Sequence, residues 1–402
     1  MLNIGIIKEE KSPPDSRVPL NPQQCAQLIK SGLNIIVQKS ESRCFPDEDY
    51  LALGIPMADQ VSDQDILMGV KEVPIDSLIA NKTYFFFSHT IKEQSYNQKL
   101  LQNIVTKNIQ LIDYEVLTNP AGQRVIAFGK FAGMVGAHNA LWTYAKRTNS
   151  FEFPRMNSLY DYEAAKQVYM NTKFPPCRVV LTGTGRVSGG AELVLLDMGF
   201  EKVRPIDYVT KKYDHPIFTQ LSSFYYAKRK DGKEFDSVQD FYDNPSHYDS
   251  DFDHFVSCSD IMINGIYWDN DAPAFFSLEQ MAKDDFSIKV IADVTCDIAP
   301  VSSIPSTIKA STIADPVFGF DPSNRKEVAP FTESAIDMMT IDNLPNELPR
   351  DASTAFGDMF IEHVLPELMG KKEGDMIERA SVTKNGNLGA HFEYLRLSLI
   401  HI

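Results

Sequence analysis

The stretch RVVLTGTGRVSGGAELVLLDMG, residues 178–199, constrains the fold of this chain more than any other. An apolar run at its start predicts a buried strand, and Gly183 and Gly185 predict a tight turn. Apolar residues at helical spacing then predict a helix that ends at Gly199. The order strand, glycine turn, helix is typical of a Rossmann-type dinucleotide site, because turn amides and a helix N-terminus favour the pyrophosphate.

The glycine motif is imperfect, because Ser188 occupies the position of the third glycine. An acidic residue that binds the adenosine ribose is expected about 20 residues further on, at the end of the next strand. We read VRPIDYV as that strand, and Asp207 is the acidic residue in it. Asp207 favours NAD over NADP because it would repel a 2′-phosphate, although Lys211 and Lys212 are compatible with NADP. The alternative, a glycine-rich turn without a ligand, explains this combination less well.

The rest of the chain predicts an α/β protein with two such regions. The strand-like runs before residue 120 are NIGIIK, NIIVQ, DILMGV, TYFFFS and QLIDYEVL, and helical patterns separate them. This alternation predicts a parallel sheet covered by helices. A long helix rich in small residues then begins near residue 129, and residues 149–163 suggest a linker. We expect residues 210–254 to form a surface excursion, and a late helix to be capped by Asp351 and ended by Gly370.

Charged residues follow the predicted strands of the first region. The run DILMGV leads into Lys71 and Glu72, and the run TYFFFS leads into His89. If these strands are parallel neighbours, Lys71 and His89 lie at the same carboxyl edge, where open α/β sheets bind ligands. A histidine titrates near neutral pH, and burial or nearby cations lower the pKa of a lysine, so both suit proton transfer. A lone histidine at a strand end is more often structural, which is the alternative.

Further charged residues are expected at the same edge, and these are Arg17, Lys92, Asp113, Glu115 and Arg124. Arginines suit recognition of carboxylates because the guanidinium group can donate two parallel hydrogen bonds. The alternative is a solvated loop surface of mixed charge. That alternative explains any one residue, but it explains less well why so many strand ends are charged.

Composition excludes several classes of function. The formal net charge is -15 and the pI is near 5.0, which argues against general binding to nucleic acid or to anionic membranes. The five cysteines are scattered without a CxxC pair, so a disulfide framework or a zinc site is not expected. No apolar signal segment or membrane span is apparent, and we expect a cytoplasmic protein. The acidic stretch at 247–254 fits no standard metal loop, so we expect no metal.

Several segments together resemble a known superfamily. RVPL, VKEVP, FFSHTIKEQ, LIDYE, RVIAFGKFAG and the glycine turn occur in the order seen in alanine dehydrogenase and the transhydrogenase α-subunit. FFSHTIKEQ, LIDYE and IDNLPNELPRDASTAFGDMF are most similar to the branch of the L-lysine-forming saccharopine dehydrogenases and the lysine–ketoglutarate reductase domain. The resemblance covers most of the chain apart from residues 210–254.

The resemblance implies an α/β fold with two Rossmann-like, doubly wound parallel-sheet domains around a cleft. Residues 1–132 plus 352–402 would form the substrate domain, and residues 133–351 would form the dinucleotide-binding domain. The implied reaction is the reversible oxidative deamination of saccharopine to L-lysine and 2-oxoglutarate with NAD, or with NADP. We expect the chain to carry only this reaction, without the further half of the animal bifunctional protein. We expect small-molecule substrates, and the sequence leaves the oligomeric state open.

The resemblance also implies roles for individual residues. Lys71 and His89 occupy the acid/base positions, and Glu72 and Glu115 would tune their pKa values. The implied substrate-binding residues are Arg17, Lys92 and Arg124. The implied cofactor-binding residues are Gly183, Gly185, Arg186, Val187, Asp207 and Asp293.

Two departures from the family concern the glycine turn, because Val187 stands where fungal members have cysteine and Ser188 where glycine is found. Two alternative functions stay open. One is a related opine or alanine-type amino-acid dehydrogenase, and the other is a nicotinamide-binding subunit without catalytic activity.

Overall fold

A computed structural model of the protein describes residues 2–399. Its strands, in chain order, are β1 (Asn3–Ile6), β2 (Asn34–Gln38), β3 (Met57–Ala58), β4 (Ile66–Met68), β5 (Thr83–Phe86), β6 (Gln110–Asp113), β7 (Arg178–Thr182), β8 (Glu201–Lys202), β9 (Ile217–Leu221), β10 (Ala227–Arg229), β11 (Tyr248–Ser250), β12 (Ile261–Asn264), β13 (Val290–Asp293), β14 (Val317–Asp321), β15 (Lys326–Val328), β16 (Ile336–Met339), β17 (Ser381–Lys384) and β18 (Asn387–Leu388).

Its α-helices are α1 (Pro22–Lys30), α2 (Asp47–Ala52), α3 (Gln98–Thr106), α4 (Gly129–Thr148), α5 (Tyr162–Asn171), α6 (Arg186–Asp197), α7 (Pro205–Thr210), α8 (Ser223–Tyr226), α9 (Val238–Asp243), α10 (Asp253–Val256), α11 (Leu278–Met281), α12 (Pro349–Met359), α13 (Leu365–Leu368) and α14 (Met376–Arg379). A π-helical turn, Phe360–Val364, joins α12 to α13. Within residues 2–399, none of these helices combines the length and apolar character that crossing a membrane requires.

The chain divides into two compact units. Unit 1 is Met1–Phe128 with Pro349–Ile402, and unit 2 is Gly129–Leu348. The division expected from sequence, 1–132 plus 352–402 and 133–351, differs by a few residues, because the boundary falls before α4 and not inside it. The assignment of the two parts to substrate and dinucleotide stays a prediction.

The sheet of unit 1 has the strand order β18-β17-β6-β5-β4-β1-β2-β3. The strands from β6 to β3 are parallel, and β17 and β18 add antiparallel strands at one edge. Successive side chains of β5 point to opposite faces: Phe85 lies in one buried cluster, and Tyr84 and Phe86 lie in another. The aromatic run is therefore a strand that is buried on both faces.

The sheet of unit 2 has the order β15-β14-β16-β13-β12-β7-β9-β8. The strands from β16 to β8 are parallel, β14 pairs antiparallel with β16, and β15 pairs antiparallel with β14. In both sheets, later strands lie on both sides of the first strand, so each sheet has a switch point at which α/β folds bind ligands. Two largely parallel sheets with helices confirm the expected α/β class.

Small residues let α4 and α6 approach each other closely inside unit 2. A Cβ atom on Gly133 would lie 1.7 Å from the carbonyl oxygen of Val187. A Cβ atom on Gly190 would lie 2.0 Å from the carbonyl oxygen of Lys130. Because both positions are glycine, α4 can pack closely against α6. This packing holds the N-terminus of α6 in place.

Three local expectations are wrong. VRPIDYV is not a strand: Pro205 begins helix α7, a position where its missing N–H costs nothing. Asp351 lies inside the first turn of α12, which begins at Pro349, so Asp351 is not the N-cap. Residues 210–254 are not merely a surface excursion, because they contain β9 and the hairpin β10–β11. Buried aromatic residues of this segment include Phe218, Tyr226, Phe241, Tyr248 and Phe252.

The expected linker at residues 149–163 is also partly buried. Phe153 and Met156 pack in the interior. The imidazole of His138 is hydrogen-bonded to the hydroxyl of Tyr169 and the carbonyl oxygen of Pro154, each at 2.8 Å. This segment is therefore part of the core of unit 2, and burial lowers the pKa of His138 to about 4.

Candidate active site

The carboxyl edge of the sheet of unit 1 carries the residues predicted to exchange protons. β4 and β5 are parallel neighbours, with Met68 opposite Phe85. Lys71 and Glu72 follow β4, and His89 follows β5. His89 has φ 54°, a left-handed conformation that histidine adopts more often than most residues with a side chain. The backbone turn at His89 therefore directs the imidazole back toward the end of β4.

His89 and Glu72 form a close pair. Nδ1 of His89 lies 2.5 Å from Oε1 of Glu72, and Nζ of Lys11 lies 2.8 Å from Oε2 of Glu72. Burial alone would raise the pKa of Glu72, but the hydrogen bonds with His89 and Lys11 outweigh it and lower the pKa to about 2. Glu72 is therefore ionised at neutral pH. A carboxylate that accepts from Nδ1 leaves Nε2 as the nitrogen that exchanges a proton with a substrate.

Lys71 is anchored by a carboxylate that sequence reasoning missed. Oε1 of Glu9 accepts a hydrogen bond from the backbone N–H of Val70 at 2.6 Å, and Oε2 accepts from the N–H of Lys71 at 2.9 Å. Burial, partly offset by these two bonds, raises the pKa of Glu9 to about 7. The signal in the sequence was an acidic residue directly after the first strand, in IIKEE.

The side chain of Lys71 lies in an unusual electrostatic environment. Burial lowers its pKa, and the positive charge of Arg17 lowers it further. A cavity of about 390 Å³ adjoins Lys71 and Glu72, with Glu9 also in its wall. A lysine whose pKa is lowered loses its own proton more readily, so it is better suited to accept a proton from an amine.

Arg17 is held by a second carboxylate in the same unit. Its Nε and Nη2 donate to the two oxygens of Asp15 at 2.9 and 2.6 Å, and both side chains are almost fully buried. The guanidinium carbon also lies 4.2 Å from the ring centre of Phe128. Arg17 is thus fixed in orientation, as a residue that recognises a planar anion must be.

The other predicted substrate-binding residues meet at Glu115. Oε1 of Glu115 lies 2.9 Å from Nη2 of Arg124 and 3.5 Å from Nζ of Lys92. The side chains of Arg124 and Lys92 keep 38% and 47% of their exposure, so they can reach a ligand. The structure therefore brings Lys92, Glu115 and Arg124 together on unit 1.

Asp113 has a structural role at this edge. It is fully buried and accepts hydrogen bonds from the N–H and the hydroxyl of Ser88, at 2.9 and 2.5 Å. It also accepts from the N–H of Glu115 at 2.8 Å. Burial raises the pKa of Asp113, and these bonds partly offset that effect. Asp113 thus ties the end of β6 to the turn that carries His89.

The glycine turn of unit 2 fits a pyrophosphate group. Gly183 has φ 96°, and a Cβ atom there would lie 2.8 Å from the carbonyl oxygen of Gly265, so only glycine fits without strain. Gly185 precedes α6, whose first residues are Arg186 and Val187, and among residues 2–399 no side chain caps this helix. Backbone amides at such an N-terminus suit a phosphate. Ser188, in the third glycine position, is buried and its hydroxyl donates to the carbonyl oxygen of Gly185.

Asp293 belongs to a buried network at the ends of three neighbouring strands. Asn264 accepts from the hydroxyl of Thr182 at 2.7 Å and donates to Asp293 at 2.9 Å, and the hydroxyl of Thr307 donates to Asp293 at 2.6 Å. Burial raises the pKa of Asp293, although its hydrogen bonds oppose the shift. The network fixes the ends of β7, β12 and β13, and a contact of Asp293 with the cofactor stays a prediction.

Asp297 is a further acidic residue that sequence reasoning missed. It lies in the loop that follows Asp293 and is only partly buried. Burial, together with the charge of Asp293, raises the pKa of Asp297 to about 6. A partly exposed carboxyl that titrates near neutral pH can exchange a proton with a ligand. The sequence feature that could have identified Asp297 is the second acidic residue in VIADVTCD.

The premise for assigning Asp207 to the ribose is wrong. The parallel strand beside β7 is β9, which ends at Leu221, whereas Asp207 precedes β9 in helix α7. Its carboxylate pairs with Arg204 at 2.8 Å and with Lys211 at 3.1 Å, and these contacts lower its pKa. The residues after β9 are Ser222 and Ser223, so the argument for NAD from a carboxylate at the strand end no longer applies.

Comparisons with known proteins agree with the motifs. Residues 5–135 match the family described as alanine dehydrogenase/PNT, N-terminal domain. The alpha-aminoadipic semialdehyde synthase of Arabidopsis thaliana is 29% identical, covering 98% of this chain and 41% of that protein. The mitochondrial alpha-aminoadipic semialdehyde synthase of Mus musculus is 28% identical and covers 98% of this chain and 47% of that protein. This chain thus spans about half the length of these relatives.

A relative of similar length is the NAD(+)-dependent, L-lysine-forming saccharopine dehydrogenase of Emericella nidulans, which is 26% identical over 91% of this chain and 92% of that protein. The solved structure of an L-alanine dehydrogenase shares the fold, with a TM-score of 0.64 at 15% identity over 99% of both chains. A transhydrogenase from Sinorhizobium meliloti has a TM-score of 0.58 at 11% identity, covering 96% of this chain and 99% of that one. In its sequence this chain is similar to L-lysine-forming saccharopine dehydrogenases over most of its length, residues 5–135 match the N-terminal domain family of alanine dehydrogenase/PNT, and the fold is that of L-alanine dehydrogenase.

Proposed function

We propose that this chain is an oxidoreductase that converts saccharopine, water and an oxidised nicotinamide dinucleotide to L-lysine, 2-oxoglutarate and the reduced dinucleotide, reversibly. The observation that carries the proposal is the His89–Glu72 pair beside Lys71 at one sheet edge. Relatives named for this reaction match over nine tenths of the chain. The reaction needs groups that accept protons, and Lys71 and His89 are the side chains at this edge that can do so.

The bound dinucleotide would accept a hydride from the carbon attached to the secondary amine. Before that, the amine must lose its proton, and Lys71 is the acceptor because burial favours its neutral form. Water then adds to the resulting imine, and Nε2 of His89 takes the proton that this water releases. The adduct breaks its carbon–nitrogen bond when the nitrogen is protonated, which yields the lysine amine and the keto group of 2-oxoglutarate. Glu72 stabilises the charged form of His89 during these transfers.

Saccharopine carries three carboxylates, which need cationic partners. Arg124 and Lys92 are partly exposed on unit 1 and provide two such groups. Arg17 is buried and orientated by Asp15, and we assign it to the carboxylate nearest the reacting carbon. Glu115 sets the positions of Lys92 and Arg124 when no substrate is bound. The glycine turn at Gly183 and Gly185 would hold the pyrophosphate.

The test of the proposal is a substrate screen that follows the absorbance of the reduced nicotinamide. Lysine with 2-oxoglutarate should give turnover with NADH or NADPH, whereas alanine-forming assays with pyruvate and ammonia should give none. Turnover only in the alanine-type assay would replace this proposal with the alternative dehydrogenase. Binding of the dinucleotide without turnover of any substrate would favour a non-catalytic subunit.

Variants test the assigned residues. Lys71→Met with His89→Gln should lower kcat by at least about a hundredfold, because each proton transfer contributes about 10² or more. Lys82→Met with His363→Gln is a matched control, since both residues lie on unit 1 outside the described edge. Full turnover of the first double variant would refute the roles of Lys71 and His89.

A further inference from the structure

The turn of residues 88–93, which carries His89 and Lys92, has a strained backbone. His89 and Glu93 both have φ 54°, and a 3₁₀ turn, Thr90–Lys92, lies between them. Left-handed backbone is uncommon for residues with a Cβ atom, and it persists only where the surrounding structure stabilises it. Groups outside this turn therefore decide whether it keeps its shape.

The two halves of the turn are held differently. The first half is tied to β6 by the bonds from Ser88 to Asp113, and the hydroxyls of Ser88 and Thr90 lie 2.7 Å apart. In the second half, the N–H of Glu93 donates to the carbonyl oxygen of Thr90 at 3.4 Å, which is long for a backbone hydrogen bond. The half that carries Lys92 therefore depends on contacts from elsewhere in unit 1.

A segment about 300 residues further along the chain supplies such a contact. The hydroxyl of Tyr394 donates a hydrogen bond to the carbonyl oxygen of Ile91 at 3.0 Å. The side chain of Ile91 packs against the buried cluster that contains Phe392 and Leu395. Both the backbone and the side chain of Ile91 are thus held by residues 390–399.

Residues 390–399 are themselves anchored in unit 1. They form 3₁₀ turns with a kink at Phe392, and the side chain of Phe392 is buried. The side chain of Gln102, in α3, donates to the carbonyl oxygen of Ser398 at 3.1 Å. Tyr394 differs from these anchors because it is 50% exposed. Burial of its ring therefore does not account for its position, whereas its bond to the turn does.

We propose that Tyr394 is a positioning residue for the reaction, an inference that rests on the proposed function. A peptide unit is planar, so a bond that holds the carbonyl of Ile91 also holds the N–H of Lys92 and orients the start of its side chain. The ammonium group of Lys92 lies 3.5 Å from Glu115 and is assigned to a substrate carboxylate. Tyr394 thus acts on substrate binding through Lys92, and it acts on His89 only through the rest of the turn.

Tyr394→Phe tests the proposal, because it removes the hydroxyl and keeps the ring. KM for saccharopine should rise by at least about threefold, since one hydrogen bond contributes about two- to tenfold to an equilibrium. The value of kcat should fall by less, because the proton transfers do not use Lys92. Tyr96→Phe is the matched control: Tyr96 is 68% exposed, and its hydroxyl donates to the side chain of Gln94 at 2.5 Å, outside the turn. Equal KM values in the two variants would overturn the proposal.

Amide hydrogen exchange followed by mass spectrometry gives a second measurement that needs no substrate. Peptides from the turn should exchange at least about threefold faster in Tyr394→Phe than in the parent protein, whereas peptides from β5 should exchange equally. Exchange in the turn that matches the parent protein would overturn the proposal, and so would faster exchange without the rise in KM. If the parent protein does not act on saccharopine but exchange in Tyr394→Phe is faster, the proposed function is refuted and the hold of Tyr394 on the turn stands.

Discussion

The two sheets of this protein have the same plan. In each, the first strand occupies the sixth place of eight, parallel strands flank it, and two antiparallel strands close one edge. β1 corresponds to β7, β4 to β12, and β5 to β13. The loops at the corresponding strand ends nevertheless differ. After β1 the chain runs into Glu9 and Arg17, whereas after β7 it forms the turn of Gly183 and Gly185.

This difference shows that the sheet fixes where a site lies and the loops fix its chemistry. In unit 1, strand ends carry hydrogen-bonded polar groups such as His89 with Glu72, which suit proton transfer and anionic substrates. In unit 2, the strand ends are joined by a buried network of hydroxyl, amide and carboxyl groups, and a Cβ atom at Gly183 would lie 2.8 Å from the carbonyl oxygen of Gly265. We propose that the edge in unit 1 carries the chemistry and that the edge in unit 2 holds the cofactor.

The largest expected effect tests the turn of unit 2. Gly183→Ala places a Cβ atom 2.8 Å from the carbonyl oxygen of Gly265 in a left-handed conformation, so the turn must move. We expect the free energy of unfolding to fall by about 1–3 kcal/mol and dinucleotide binding to weaken at least about tenfold. Denaturant titration and calorimetric titration with NAD and NADP measure the two effects.

Gly232→Ala is the control that separates the effect of backbone strain from the effect of losing the phosphate site. Gly232 also has a left-handed φ, 74°, but nothing lies within 4 Å of its Cβ position. The Gly232→Ala variant should therefore be less stable than the parent protein but should bind the dinucleotide with the same affinity. If both variants bind the dinucleotide as the parent protein does, the turn at Gly183 is not the phosphate site.

The second prediction concerns Glu9 in unit 1. Its folded pKa of about 7 exceeds its ordinary 4.5, so the folded state holds the proton more tightly than the unfolded state. The contribution of Glu9 to the free energy of unfolding is complete below pH 4.5 and is lost as the pH rises through 7. The total loss is roughly 3 kcal/mol. Glu9→Gln, which cannot ionise, should therefore flatten the fall in unfolding free energy between pH 5 and pH 8.

Urea titrations at several pH values measure that slope. Glu10→Gln, at the neighbouring exposed residue, should leave the slope close to that of the parent protein. If the slope in Glu9→Gln equals that of the parent protein, Glu9 is ionised over this whole pH range. The carboxylate that accepts from the backbone N–H of Lys71 then does not titrate in that range. Glu9 would then not be a group that titrates near neutral pH in unit 1.

The third prediction concerns the end of β9, where no carboxylate stands in the sequence. Ser222→Asp would place one directly after the strand, where it repels a 2′-phosphate and accepts from ribose hydroxyls. We expect the ratio of kcat/KM for NADP to that for NAD to fall by about tenfold. Ser237→Asp adds the same charge at the N-cap of α9 and should leave the ratio unchanged. A fall in both variants would indicate a general charge effect.

The sequence predicted the elements whose pattern is local. The strand, glycine turn and helix around Gly183 are fixed by neighbouring residues, and the parallel pairing that brings Lys71 and His89 to one edge follows from the alternation of strands and helices. Sequence reasoning failed where long-range contacts decide. Pro205 starts a helix because the strand that pairs with β7 comes later in the chain. Glu9 is visible in the sequence as an acidic residue after the first strand, but its role depends on the backbone of Val70, about 60 residues away, and the local pattern does not show that contact.

The smallest expected effect tests the corrected position of Asp207. Its carboxylate pairs with Arg204 and Lys211 on helix α7, and the end of β9 lies elsewhere. Asp207→Asn should therefore leave KM for NAD and for NADP within about twofold, because exposed ion pairs contribute little. Steady-state assays with both cofactors measure it, and Ser222→Asp serves as the positive comparison. A tenfold rise in KM for NAD alone would restore Asp207 to the ribose, and it would require α7 to reach the turn at Gly183 when the dinucleotide binds.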